Sequence, residues 1–262
     1  VLTIAGVAGI TAWTVWQDNK LGRADFHTGY VLIGAILFLA CYNLRKKLPI
    51  LPWTTSSAWL QSHIYIGLGS AVVFGLHVGW KVPNGILETS IAVLYCLAFL
   101  SGIVGLIWTR TIPPQLARLS EEIIFERTAM IRAQLRDRAQ QVVLESVHAS
   151  GATTLGEFYA DRLQGYFESP RRIGYYLWPT NSLRRRLLAE LTAVRRYLSE
   201  PEQEKSEQLF ALVRRRDDLD LQVALQWRLK GWLFVHLGLT YPLVLASCLH
   251  GWLAHLFDGG AL

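Results

Sequence analysis

Residues 62–80 read SHIYIGLGSAVVFGLHVGW, and this stretch decides the fold. It is apolar almost throughout, yet it holds two histidines, His63 and His77, 14 residues apart. Residues 235–255, VHLGLTYPLVLASCLHGWLAH, repeat the pattern with His236 and His250 at the same spacing. In a helix, 14 residues rise about 21 Å and return to within about 40° of the starting face. Each helix therefore presents one imidazole near each end, both on one side.

Working outward, five apolar segments stand out: 1–16, 28–42, 58–80, 86–108 and 231–257, the last with Pro242 near its middle. Their lengths suit membrane helices, although the first is short. A proline inside a membrane helix is tolerated when neighbours satisfy the carbonyl it frees. The chain has 262 residues, 52% of them hydrophobic and only 18% charged, which excludes a fully water-solvated chain of ordinary composition. Trp13, Trp16, Trp53, Trp59, Trp80, Trp108, Trp227, Trp232 and Trp252 cluster at the ends of apolar runs. Tryptophan favours the membrane–water boundary, where its ring is dry and its N–H wet. The net charge of +6 lies beside apolar spans and does not point to nucleic acid.

The flanking cations set the expected topology. Arg45–Lys46–Lys47 follow the second segment, and Arg110 and Arg118 follow the fourth. Arg214, Arg215, Arg216, Arg228 and Lys230 precede the fifth. The opposite loops carry only Lys20, Arg23 and Lys81 as cations. The positive-inside rule then places the N-terminus inside and the C-terminus outside, in a bacterial inner (cytoplasmic) membrane. No charged leader or small-residue cleavage site marks 1–16 as a signal peptide.

Residues 111–225 differ in character, with 17 Lys/Arg against 16 Asp/Glu, so the region is close to neutral and solvated. Leu116, Leu119, Ile123, Ile124 and Phe125 recur at helical spacing, as do Leu183, Leu187, Leu188, Leu191 and Val194. These are read as amphipathic helices that pack together and on the membrane face. Pro113–Pro114 is expected to stop the fourth span. The fold class is all-α: a membrane bundle of about five spans with a helical cytoplasmic insertion between spans four and five. The expected division is 1–110 for spans one to four, 111–225 for the insertion, and 226–262 for span five and a short outer tail.

Five of the seven histidines lie in spans three and five. Ionisable groups inside a bilayer are costly and usually functional. A lone histidine is as readily explained by an interhelical hydrogen bond, but two equal pairs on two helices are not. A neutral imidazole bound to iron escapes most of the cost, provided its other nitrogen finds a carbonyl or a Ser/Thr hydroxyl. If both helices run from inside to outside, His63 meets His236 at an inner site and His77 meets His250 at an outer one. Each site then suits one heme b with two axial imidazoles and electron transfer in place of oxygen binding. Clustered zinc or copper would need its ligands together. Gly67, Gly69, Ser70 and Gly75, Gly238, Ala246, Ser247 and Gly251, with Gly102 and Gly105, would let backbone approach a flat porphyrin, or simply another helix. His255, His27, Lys81, Arg228 and Lys230 are auxiliary candidates, for propionates, for quinone or as replacement ligands. His255 is about 140° around the helix from His250. Cys41, Cys96 and Cys248 form no Cys-x-x-Cys motif, so c-type heme, iron–sulfur and disulfide chemistry are not expected, and all three are read as buried packing residues.

These two histidine helices resemble the ligand helices of diheme membrane cytochromes b, the broad cytochrome b561, ferric-reductase-like and respiratory cytochrome b subunit group. The resemblance covers the spans and not the insertion. It implies that His63, His77, His236 and His250 are axial ligands to two hemes in a bundle formed by spans two to five. It implies electron transfer between a quinone pool and partner subunits, such as a multiheme cytochrome c, an iron–sulfur or a flavin protein. The chain lacks a dinucleotide fingerprint and a flavin domain, so it is expected to be an electron-transfer subunit with no catalytic residue of its own. A heme-free membrane anchor and a proton-relay transporter are the alternatives. The relay needs intramembrane carboxylates, and only Glu88, at a span edge, offers one.

Overall fold

The computed structural model describes residues 24–47, 55–119 and 127–258, with Gly9. The first expected span, the cations Lys20 and Arg23, and the side chains of Arg45, Lys46 and Lys47 lie outside the described residues. Among the described residues the fold is all-α, with no strand. The helices are α1 (Ala24–Lys47), α2 (Ser56–Val78), α3 (Ile86–Ala117), α4 (Thr128–Ser150), α5 (Thr154–Phe158), α6 (Gln164–Glu168), α7 (Ile173–Leu177), α8 (Ser182–Val194) and α9 (Glu200–Asp258). A π-helical turn, Tyr159–Leu163, joins α5 to α6.

Among the described residues, three helices are long and apolar enough to cross a membrane: Ser56–Val78, Ile86–Ala117 and Glu200–Phe257. Helix α1 carries a shorter apolar stretch, Phe26–Tyr42. The chain falls into two compact units, one formed by Val1–Trp108 with Trp232–Leu262, the other by Thr109–Gly231.

In the first unit, α1, α2, α3 and the last part of α9 share one core. Leu32 and Ile36, Val73, Tyr95 and Ala98, and Leu243 are buried together, one contribution from each helix. Between α2 and α3 a polar contact is built into this apolar layer. The Ser70 hydroxyl donates to the Gly67 carbonyl at 2.8 Å and so accepts from the Tyr95 hydroxyl, also at 2.8 Å. Phe74 stacks on Tyr95 at 4.1 Å. Thr55 caps α2 by accepting the Ala58 N–H. At the other end Gly79 takes φ 63°, and the N–H groups of Gly79 and Trp80 close back on Leu76 and Gly75, a Schellman stop. That turn lays the Trp80 ring over Gly75, where an added Cβ would stand 2.6 Å from it.

Two expectations meet a different outcome. Pro113 and Pro114 lie inside α3, which runs on to Ala117. Each proline removes one donor, yet the helix continues through both, with Ile112 beside them buried. Cys41, Cys96 and Cys248 are exposed on their helices and not buried. The outer face of a membrane helix is itself apolar, so a small apolar residue there needs no burial inside the protein.

The second unit closes around Leu155, Leu163, Leu191, Leu209 and Val213, all fully buried. Glu202 is buried and accepts from the Leu155 N–H and from the Ser199 N–H and hydroxyl, which caps α5 and α9 with one carboxylate. Beside this core lies an arginine–aspartate network. Asp220 receives Arg132 at 2.8 Å and Arg171 at 2.9 Å, with Arg216 at 3.4 Å. Asp217 receives Arg171 at 2.7 Å. Arg171 also lies 4.9 Å from the ring centres of Tyr166 and Tyr175. Burial pushes both phenols above their ordinary range, so they stay protonated.

The buried Asp220 compensates three cations at once. Asp220→Asn should cost about 3–5 kcal/mol, the usual penalty for breaking a buried pair. Glu190→Gln, which loosens an exposed pair with Arg186, should cost about 1 kcal/mol or less. Denaturant unfolding of the purified protein, followed by helical circular dichroism, separates the two.

Candidate functional site

The four span histidines form two pairs in the first unit. His63 and His236 have ring centroids 6.5 Å apart at an interplanar angle of 67°. His77 and His250 are also 6.5 Å apart, at 82°. Since the earlier histidine of α2 meets the earlier one of α9, and the later meets the later, the two helix segments run parallel. One metal ion ligated by two imidazoles on opposite sides holds their nitrogens about 4 Å apart and the ring centroids about 6 Å apart. Both pairs fit that separation. Among the described residues no three His, Cys, Asp or Glu side chains gather into a metal cluster, so the histidines meet as pairs.

The Nδ1 atoms show how the rings are held. His236 Nδ1 lies 2.7 Å from the Ser101 hydroxyl, which itself donates to the Ala98 carbonyl at 2.8 Å. Ser101 Oγ is therefore the acceptor, His236 carries its proton on Nδ1, and Nε2 holds the lone pair. His77 Nδ1 shares a hydrogen bond with Thr28 Oγ1 at 3.3 Å, and Thr28 is buried. His250 Nδ1 lies 3.9 Å from Glu88 Oε1, within ion-pair range but beyond a hydrogen bond. His63 Nδ1 is buried with no hydrogen bond of ordinary geometry; its ring interacts with the Leu39 backbone, and the Tyr42 ring lies 5.2 Å away.

Thr28 and Ser101 are the functional residues that sequence reasoning missed, and a short signal accompanies both. Each precedes a glycine. A Cβ at Gly29 would stand 3.1 Å from His77 Cε1, and one at Gly102 would stand 3.7 Å from His236 Cε1. At Thr28–Gly29 the step thus holds Nδ1 with one residue and makes room for the ring edge with the next, whereas a Cβ at Gly102 would make only an ordinary contact. On the far side of His236, Trp232 stacks at 5.6 Å and donates its indole N–H to the Ser101 carbonyl at 2.7 Å. Gly105 makes that possible, because an added Cβ there would overlap the Trp232 ring.

The His77–His250 pair opens into a cavity of about 740 Å³, lined among others by Gly29, Tyr30, His77, Glu88, His250 and His255. That size falls in the range of small-molecule and cofactor sites. His255 reaches α1, where it shares a hydrogen bond with the Tyr30 hydroxyl and stands edge-on to Phe26. It lines the cavity but does not pair with His77. His27 and Lys81 are exposed. Arg228 and Lys230 belong to the second unit, Arg228 half-buried and Lys230 exposed.

Comparison with family models, with characterised proteins and with solved structures gave no match.

Gly105→Ala should force Trp232 off its seat. Overpacking of this kind costs about 1–3 kcal/mol. The thermal midpoint of the detergent-purified protein should fall, and Gly105→Ala with Trp232→Leu should recover part of the loss. An unchanged midpoint in the single variant would show that Trp232 does not depend on this glycine.

Proposed function

We propose that the chain is a diheme b-type cytochrome subunit that carries electrons across a membrane between a quinone/quinol pool and redox partner subunits. The observation that carries this reading is the pair of matched bis-histidine sites, each 6.5 Å between rings. His63 and His236 would hold the inner heme, and His77 and His250 the outer one. When bound, each heme supplies a one-electron iron couple. Ser101 and Thr28 orient His236 and His77 through Nδ1, the arrangement that fixes tautomer and ring plane in metal-binding histidines. Gly29 beside Thr28 lets α1 approach the edge of the His77 ring.

On this reading the chain belongs with the cytochrome b561, ferric-reductase-like and respiratory cytochrome b subunits. Five spans cross a bacterial inner membrane, with the N-terminus inside and the C-terminus outside. The region 111–225 faces the cytoplasm and docks a cytoplasmic subunit or braces the bundle. The partners are multiheme cytochrome c, iron–sulfur or flavin proteins.

The decisive experiment is a reduced-minus-oxidised spectrum of the purified full chain, with heme extracted and counted. About two b-type hemes per chain are expected. A chain that stays heme-free when expressed with ample heme would overturn the reading and leave a membrane anchor. His77→Ala should remove one of the two hemes and spare the other. Ser101→Ala should weaken retention of the inner heme about 10–100-fold, as loss of a ligand-orienting hydrogen bond typically does, and leave the outer heme in place.

A further inference from the structure

Helix α7 wears its side chains inside out. Tyr175 and Tyr176 turn inward, Tyr175 onto Arg171 and Tyr176 within reach of Arg132. Ile173 and Leu177, one turn apart on the opposite side, face outward with Trp178 after them. Ile173 and Trp178 are each 77% exposed. In a water-facing helix the tyrosines would be outside and the isoleucine, leucine and tryptophan inside.

The contacts of this segment fix its course along α9. Arg171 meets α9 at Asp217 and Asp220. Five residues later Tyr176 meets it at Trp227, with ring centres 6.4 Å apart. The segment therefore travels in the direction of the apolar stretch of α9, and Trp178 lies beyond Tyr176. Trp227 is half-exposed and only five residues before Trp232, about 7.5 Å along a helix. Arg172, just before Ile173 in the chain, is exposed. Outward tryptophan and aliphatic side chains flanked by a cation, on a segment that meets α9 at Trp227 shortly before its apolar stretch begins, match the chemistry of an anionic lipid interface.

We infer that residues 173–178 form an interfacial anchor, with Ile173, Leu177 and Trp178 immersed at the headgroup level of the membrane surface and Arg172 on anionic headgroups. The tyrosine face holds the helix to the arginine–aspartate network while the other face enters lipid. This inference rests on the chain being embedded in a membrane and not on heme.

The test uses the full chain in phosphatidylglycerol-containing nanodiscs, with Cys41, Cys96 and Cys248 replaced by alanine. A nitroxide is attached at Ile173→Cys or Trp178→Cys, and oxygen and nickel-chelate accessibilities are read by power saturation. Leu245→Cys, on the exposed face of the apolar part of α9, reports membrane insertion. Glu204→Cys, about 35 Å before Trp227 along α9, reports water. The expected result is an oxygen-to-nickel ratio at 173 and 178 severalfold above that at 204, approaching that at 245. Ratios at 173 and 178 equal to that at 204, with 245 in lipid, overturn the anchor. Shielding from both reagents also overturns it and assigns the face to another protein surface. If either variant fails to fold, Leu177→Cys reads the same face.

Discussion

A neutral imidazole has one N–H and one lone pair, and inside an apolar bundle both need a partner. Much of the first unit is arranged around that requirement. Thr28 on α1 and Ser101 on α3 reach the Nδ1 atoms of His77 and His236 from neighbouring helices, and Glu88 stands near His250. Thr28 is buried and Ser101 half-buried. Each ring lies 6.5 Å from the other member of its pair, and a lone pair left unmet there would be costly.

The second unit solves a different problem with the same physics. Its charges are numerous, and several are buried. Arg171 and Asp220 stay in the interior because each meets more than one partner, and the tyrosine rings flanking Arg171 take the place of part of its hydration. The exposed pairs around it, such as Arg195–Glu207, add little and are set by composition. The network fixes where α4, α7 and α9 meet, and the leucine core beside it supplies most of the favourable burial.

The helical class and the membrane-suited stretches were legible because apolar runs longer than 18 residues leave few alternatives. Helix ends were less so. The double proline reads as a stop, yet the helix runs on to Ala117 past a buried isoleucine. The cysteines looked like core because they sit in apolar runs, but an apolar run in a membrane helix has no intrinsic inside. At the site, the spacing singles out four histidines and says nothing of what holds them. Thr28 and Ser101 lie on other helices, 49 and 135 residues away from their partners, and a lone hydroxyl in an apolar helix is indistinguishable by composition from one bonded to its own backbone. The glycines after them carried a weak signal that only the ring contacts make readable. The inverted face of α7 was hidden for the same reason: alternating aromatic and aliphatic residues do not show which set meets the arginines.

The spacing itself has a physical rationale that the pairing makes plain. Fourteen residues are two heptads, and a straight α-helix drifts about 20° per heptad from a 3.5-residue repeat. On two parallel helices the drift turns both rings in the same rotational sense, so rings that face each other at one end would diverge by the other. A left-handed wrap of about 20° between the helices cancels the drift, as in ordinary bundles. A spacing of 13 or 15 would swing one ring by a further 100° or so, beyond what a crossing angle or a rotamer could recover. The same 6.5 Å at both ends therefore follows from one choice made twice, the histidine repeat matched to the natural twist of packed helices. Four side chains on two segments can then define two like sites without any further element being added to the bundle.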